Sequence, residues 1–402
     1  MKKVCMITHD APYIDRRILL QAKCLVQNEY DVTIVYPFGE INSDFDGLGI
    51  KYKPINPKVS IKNSLSFTKK FVRKLLPQRL YVFLKMKYFD FFKTDFIDYK
   101  EELIQKTMEE QYDIYVAHDL PALPIAHFAA KKYNAKLVYD AHEFFLGQIA
   151  LQGKRKKFFE YLEKKYIYDV DLMFTVNDDI ANLFRERYGI DKITVIYNSI
   201  EKQNILKKDL HSILQIPKTK KIILYQGGFL EDRNLEILVK TAKYLDENIV
   251  LVMLGYSFLE NKLKELARYN GVLNKKVFFM KRVSQKELLN YTAGADFGII
   301  PYPAIDLNTK YCTPNKMFEF VSAKVPIIVN KDLVTVVNIL KKYNIGEFIS
   351  FDNEKEIANN INEIINSIDV EKAKKEIEKV QKYFSWEYQE KLYLGSYFRL
   401  NM

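Results

Sequence analysis

The chain has 402 residues, 48% of them hydrophobic, which is enough to fill the cores of two domains and too much for a mostly disordered protein. Lys and Arg outnumber Asp and Glu by 62 to 51, and the net charge of +11 favours anionic partners: nucleic acid, nucleotide phosphates or a membrane surface. The three cysteines, Cys5, Cys24 and Cys312, lie far apart with no CxxC spacing, which argues against a disulfide framework or a zinc site and fits a reducing cytoplasm.

The first apolar run, Val4 to Ile7, follows two lysines but is too short for a signal peptide and reads as a first strand. No later segment approaches the roughly 18 apolar residues of a spanning helix. Short β-branched runs then alternate with helical-period segments: "DVTIVYPF", "YDIYVAHD", "AKLVYDAHE", "DLMFTVND" and "ITVIYN", then "KIILYQGG", "IVLVMLG", "KVFFM", "DFGIIPYP" and "VPIIVN". This is the pattern of βα units that build parallel sheets. Eleven such runs exceed the roughly ten strands of an open sheet, so two sheets are expected. Between them, "NSIEKQNILKKDLHSILQIPKTKK" is polar and lacks strand signals, placing a boundary near residue 205.

Ligands of open α/β sheets bind at the carboxyl ends of strands. Those ends carry His9, Asp10, His118, Asp119, His142 and Glu143 in the first half, and Gly227 and Gly228 in the second. A lone His is usually structural, but three strands ending in His favour a functional cluster. No HExxH or similar spacing supports a metal. "DFD" (Asp44 to Asp46) and "DVD" (Asp169 to Asp171) are pairs too common to be credited with one.

In "ILYQGGFLEDRNLE" the glycines allow close backbone approach and Arg233 offers a phosphate fork; an ordinary turn with a solvated Arg is the bland alternative. In "YCTPNKMFEFVSAKVPIIVN", Thr313 is expected as N-cap and Pro314 as the first helical residue. Asn315 and Lys316 then open a helix whose amides and Lys316 would attract a phosphate, and Glu319, one turn on, could accept both ribose hydroxyls. The alternative for Glu319 is a surface pair with Lys316. Residues 68–93 hold eight Lys or Arg against one Asp, interleaved with aromatic and aliphatic residues and broken by Pro77; the stretch suits an anionic membrane surface, with a solvated face as the alternative. No nucleic-acid motif accompanies it. GxSxG, GxGxxG and Walker loops are absent, which removes serine hydrolases, dehydrogenases and P-loop kinases.

The pieces "HDAPYIDRRI", "LVYDAHE", "QGGFLEDRNLE", "ADFGIIPYP", "TPNKMFEFVSAKVPIIV" and "SWEYQEKLYLGSY", in that order and over nearly the whole chain, resemble the retaining GT-B glycosyltransferases of family 4. The resemblance implies an α/β fold of two Rossmann-like domains whose parallel sheets face across a cleft. Residues 1–205 would bind the acceptor, 206–384 the nucleotide-sugar, and a C-terminal helix, 385–402, would cross back to the first domain. Glu319 matches the family's ribose-holding Glu, Arg233 the diphosphate-neutralising base, and His142 the His near the transferred sugar. Gly227, Gly228, Tyr311, Asn315 and Lys316 fall on the donor side, and His9, Asp10, His118 and Asp119 on the acceptor side. Three positions depart from the family: Tyr311 stands where its first motif Glu would be, "HDAPYIDRR" replaces a glycine-rich first turn, and Asn234 replaces a common Lys. The implied reaction transfers a sugar, without metal or cofactor, from a nucleotide-sugar, expected to be a UDP-sugar, to a glycan or lipid-linked acceptor at the inner face of the cell membrane. A nucleotide-sugar epimerase of the same fold and an inactive partner subunit are the alternatives.

Overall fold

The computed structural model describes residues 1–9, 15–37, 47–55 and 100–400. It divides into two compact units, Met1–Ile196 with Glu390–Met402, and Tyr197–Gln389. In the first unit, seven parallel strands run in the order β3-β2-β1-β4-β5-β6-β7. They are β1 (Lys3–Thr8), β2 (Asp31–Tyr36), β3 (Lys51–Pro54), β4 (Ile114–His118), β5 (Lys136–Ala141), β6 (Leu172–Thr175) and β7 (Ile193–Val195). In the second, six parallel strands run in the order β10-β9-β8-β11-β12-β13. They are β8 (Lys221–Gly228), β9 (Ile249–Tyr256), β10 (Val277–Met280), β11 (Phe297–Ile300), β12 (Ile327–Asn330) and β13 (Gly346–Ile349). Each sheet reverses its winding once, between β1 and β4 and between β8 and β11, and such reversals open a crevice at the strand ends.

The central strands are continuous apolar runs because helices cover both faces of a parallel sheet. Val4 to Ile7 and Ile222 to Tyr225 are all at most 1% exposed. β3 and β13 are additions to the sequence reading. Both are four-residue edge strands, "KYKP" and "GEFI", whose half-exposed residues leave no buried run to recognise.

The unit boundary falls after Ile196, short of residue 205. The cause is aromatic packing: Tyr197 stacks on Phe384 at 5.8 Å and meets Phe318 at 5.9 Å, both in the second unit. The last helix, Trp386–Leu400, starts in the second unit, where the Trp386 amide donates to the Ile200 carbonyl, and ends in the first. Its buried Tyr393 and Tyr397 pack on Phe174 of β6 at 4.9 and 6.1 Å.

Candidate active site

In the second unit the site grows from the end of β8. Gly227 has φ +123°, and a Cβ there would lie 2.5 Å from Lys316 Cε and 2.6 Å from Nζ, so the lysine lies directly over the glycine backbone. Gly228 is under no such constraint, since a Cβ there would make an ordinary 3.7 Å contact. The chain then makes a short 3₁₀ turn, Glu231–Arg233, and Asn234 follows in the left-handed region at φ 55°, its side chain donating to the Pro301 carbonyl at 2.9 Å. Asn tolerates that conformation better than a Lys would. The turn sets the Arg233 guanidinium 4.1 Å from the centre of the Tyr302 ring, while Lys316 Nζ lies 5.3 Å from the same centre. Two cations thus gather around one buried aromatic ring, an arrangement suited to an anion that bridges them.

The helix carrying Lys316 runs Asn315–Ser322, one residue later than expected. Pro314, not Thr313, occupies the cap position, in extended conformation, and Thr313 before it is buried. Met317, Phe318, Phe320 and Val321 fill the core. Glu319 is only 6% exposed, which removes the surface-pair reading. It accepts from Gln226 Nε2 at 2.6 Å, and Gln226 in turn accepts from Thr292 Oγ1 at 2.7 Å, a chain that fixes the carboxylate beside the end of β8. Asn315 is exposed, and half-buried Tyr311 ends the short helix Leu307–Lys310, its carbonyl accepting from Thr335 at 3.1 Å. Gly227→Ala is expected to destabilise the second unit by about 1–3 kcal/mol, because an L residue is strained at that φ and Lys316 must also move aside. Thermal unfolding would show it, and an unchanged midpoint would refute the close approach.

In the first unit the ends of β4 and β5 bring His118, Asp119, Asp140 and His142 together. His142 Nε2 is 3.0 Å from His118 Nδ1 and 3.2 Å from Asp140 Oδ2, its Nδ1 is 2.6 Å from Asp15 Oδ2, and its backbone amide donates to Asp119 Oδ1 at 2.8 Å. Beneath them Arg17 donates to Asp140 through Nε at 2.9 Å and Nη2 at 2.6 Å and also to the Ile196 carbonyl, while Gln21 donates to Asp140 at 2.7 Å. Both Arg17 and Gln21 lie on helix α1 (Arg16–Gln27), which Asp15 caps.

Burial alone would raise the Asp140 carboxyl, but Arg17 and His142 hold it well below its ordinary range. Burial would depress His142, yet Asp15, Asp119 and Asp140 raise it well above 6.5. Burial lowers His118 and pushes Asp119 up to about 7. One ligand atom from each of His118, Asp140 and His142 falls within 4.8 Å of the others, close enough to consider a metal. Arg17 and Gln21, however, already take both Asp140 oxygens, so the cluster reads as a hydrogen-bond network. His9 is half-buried after β1; Asp10, Asp44 to Asp46 and residues 68–93 lie outside the described residues. Asp169 pairs with His127 at 2.7 Å and Asp171 with Lys136 at 2.8 Å, which accounts for the "DVD" pair without a metal.

Two family models match the chain: Glycosyltransferase Family 4 over residues 14–204 and Glycosyl transferases group 1 over residues 207–383. Together they span nearly all of it.

The chain belongs to the GT-B glycosyltransferases of family 4.

A relative in Escherichia coli (strain K12), "Putative colanic acid biosynthesis glycosyl transferase WcaI", is 27% identical over 194 residues, which is 44% of this chain and 47% of that protein. The match thus spans about half of the relative's length. Among solved structures, a glycosyltransferase from Rickettsia africae ESF-5 superposes with TM-score 0.70 at 17% identity, covering 100% of this chain and 99% of the other. Anabaena Alr3699/HepE, solved in complex with UDP and glucose, gives TM-score 0.68 at 13% identity with both chains fully covered. These likenesses show the two Rossmann-like domains of the fold.

Several residues of these two clusters escaped the sequence reading. Tyr302 ended an apolar strand run, and Asp15, Arg17 and Asp140 were not singled out. The available signal was Arg17 and Gln21 at helical spacing on the apolar face of α1, where an unpaired charge would not be buried.

Proposed function

We propose that this glycosyltransferase is a retaining, metal-independent enzyme that moves a hexosyl group from a UDP-sugar to a glycan or lipid-linked acceptor in cell-surface polysaccharide synthesis. The observation that carries the reading is the pair of cations, Arg233 and Lys316, on the Tyr302 ring beside the buried carboxylate of Glu319. The two cations suit a diphosphate and Glu319 suits a ribose. The UDP bound in HepE and the biosynthetic role in WcaI's description support the choice of donor and pathway.

In this reading the second unit holds the donor, with Gly227 letting the phosphates approach the backbone, and the first unit receives the acceptor beside His142. The acceptor hydroxyl attacks the anomeric carbon as its bond to the phosphate oxygen breaks. The hydroxyl proton passes to the departing diphosphate, giving a glycoside of unchanged anomeric configuration and UDP. Arg233 and Lys316 stabilise the charge that develops on the leaving group. The basic stretch 68–93 would hold the enzyme on the cytoplasmic membrane face; no helix among the described residues is long and apolar enough to cross a membrane.

Incubation with a nucleotide-sugar panel and membrane extract, with and without EDTA, tests this. The expected result is transfer from a UDP-sugar, undiminished by the chelator, to an α-linked product if the donor is α. Loss of transfer in EDTA sinks the metal-free mechanism, and inverted product sinks retention. Epimerised donor without acceptor would select the epimerase.

A further inference from the structure

We propose that His142 works as a fixed imidazolium, locked by Asp15 and Asp140 as positioning residues, and so supplies positive charge rather than accepting a proton. The argument is geometric. Each ring nitrogen of His142 faces a carboxylate oxygen, Nδ1 that of Asp15 at 2.6 Å and Nε2 that of Asp140 at 3.2 Å. Both carboxylates are committed to the ionised form by further donors: Asp140 by Arg17 and Gln21, and Asp15 by the Arg17 amide, which meets its other oxygen at 2.9 Å. An ionised carboxylate only accepts, so both imidazole nitrogens carry protons.

The neighbouring His118 then follows. Its Nδ1 lies 3.0 Å from His142 Nε2, and two protons cannot occupy that gap, so Nδ1 is bare and the neutral ring carries its proton on Nε2. That Nε2 is buried without a hydrogen-bond partner among the described residues, which suits a neutral N–H better than a charged one.

The charges around His142 come from several of the described elements. Helix α1 and its cap bring Asp15 and Arg17, the end of β4 brings His118 and Asp119, and β5 brings Asp140, with Glu143 acting on Asp119. Tyr393 of the last helix faces Arg17 and Asp140. Asp15 lowered to about 2 and His142 raised above its ordinary value agree with the assignment.

The catalytic consequence rests on the glycosyl-transfer reading. With both nitrogens engaged, His142 cannot take the acceptor proton, and that proton is left to the diphosphate. The charge state itself can be read with no substrate, by nitrogen NMR of the full chain carrying ¹⁵N-labelled histidine, with His142→Gln assigning its signals among the five histidines. At pH 7.5 both His142 nitrogens are expected to be protonated and His118 neutral; one bare nitrogen on His142 overturns the proposal whatever the transfer assay shows. Asp15→Asn keeps the helix cap, since Asn caps as well as Asp. It is expected to lower the pH at which His142 titrates by one unit or more, and an unmoved titration also overturns the proposal.

Discussion

Asp140→Asn is expected to lower the thermal midpoint of the first unit by on the order of 10 °C. Asp140 is fully buried and Arg17 is 3% exposed, so removing one partner strands the other charge away from water. Breaking a buried pair in this way costs about 3–5 kcal/mol, and about 1 kcal/mol moves the midpoint of a domain this size by roughly 2–4 °C. Whichever way its amide turns, the asparagine also sets an N–H donor against one Arg17 donor that had an acceptor. Replacing both partners, Arg17→Met with Asp140→Leu, should cost much less than the sum of the single changes, because the desolvation penalty disappears with the pair. Calorimetry resolves the units if they melt separately. The pH dependence has a definite sign. The folded carboxyl titrates well below its ordinary 3.8, so the pair's contribution is fully present above about pH 4 and is lost only as pH falls through the lower folded value. Single variants as stable as the parent would show that Arg17 does not depend on Asp140.

The fold was legible because parallel strands buried on both faces announce themselves as short apolar runs, and β8, β9 and β12 could be read directly from "KIILYQGG", "IVLVMLG" and "VPIIVN". The edge strands β3 and β13 lack that signal because most of their residues are exposed or half-exposed, which is why they were missed, whereas the edge strands β7 and β10 could be read from "ITVIYN" and "KVFFM". Gly227, Lys316 and Arg233 could be placed at strand and helix ends from sequence, but their gathering on Tyr302 could not, because that contact joins residues far apart in the chain and a ring in "IIPYP" looks like core. Glu319 and its helix were readable, although the first residue moved from Pro314 to Asn315 because an extended proline leads in. The Arg17 to Asp140 pair spans 123 positions, and no local pattern encodes such a distance. What sequence could have offered was a conflict: the buried face of α1 carries a cation and an amide, and a conflict of that kind marks a site.

Glu319→Gln and Arg233→Ala are expected to separate the two halves of the donor. If Glu319 holds the ribose, uridine and UDP both present its hydroxyls, and the variant should weaken both by about 10- to 100-fold, since hydrogen bonds to a charged group contribute about 1.5–3 kcal/mol. Gln keeps the shape of the side chain, so the partner at Gln226 need only turn its amide. If Arg233 meets the diphosphate, uridine offers it no partner. Arg233→Ala should leave uridine binding unchanged while weakening UDP by roughly 10- to 100-fold, because a charge-assisted fork to phosphate is lost. Its effect on transfer should be larger, about 10²- to 10³-fold, as the charge it meets grows when the glycosyl bond breaks. Calorimetric titration of uridine and UDP into the three proteins gives the affinities, and turnover of the UDP-sugar gives the rest. Equal losses for uridine and UDP in Arg233→Ala would show that Arg233 organises the fold of the site and does not meet the diphosphate. Unchanged binding of both ligands to Glu319→Gln would remove the ribose from Glu319 and leave the carboxylate a structural partner of Gln226 and Thr292.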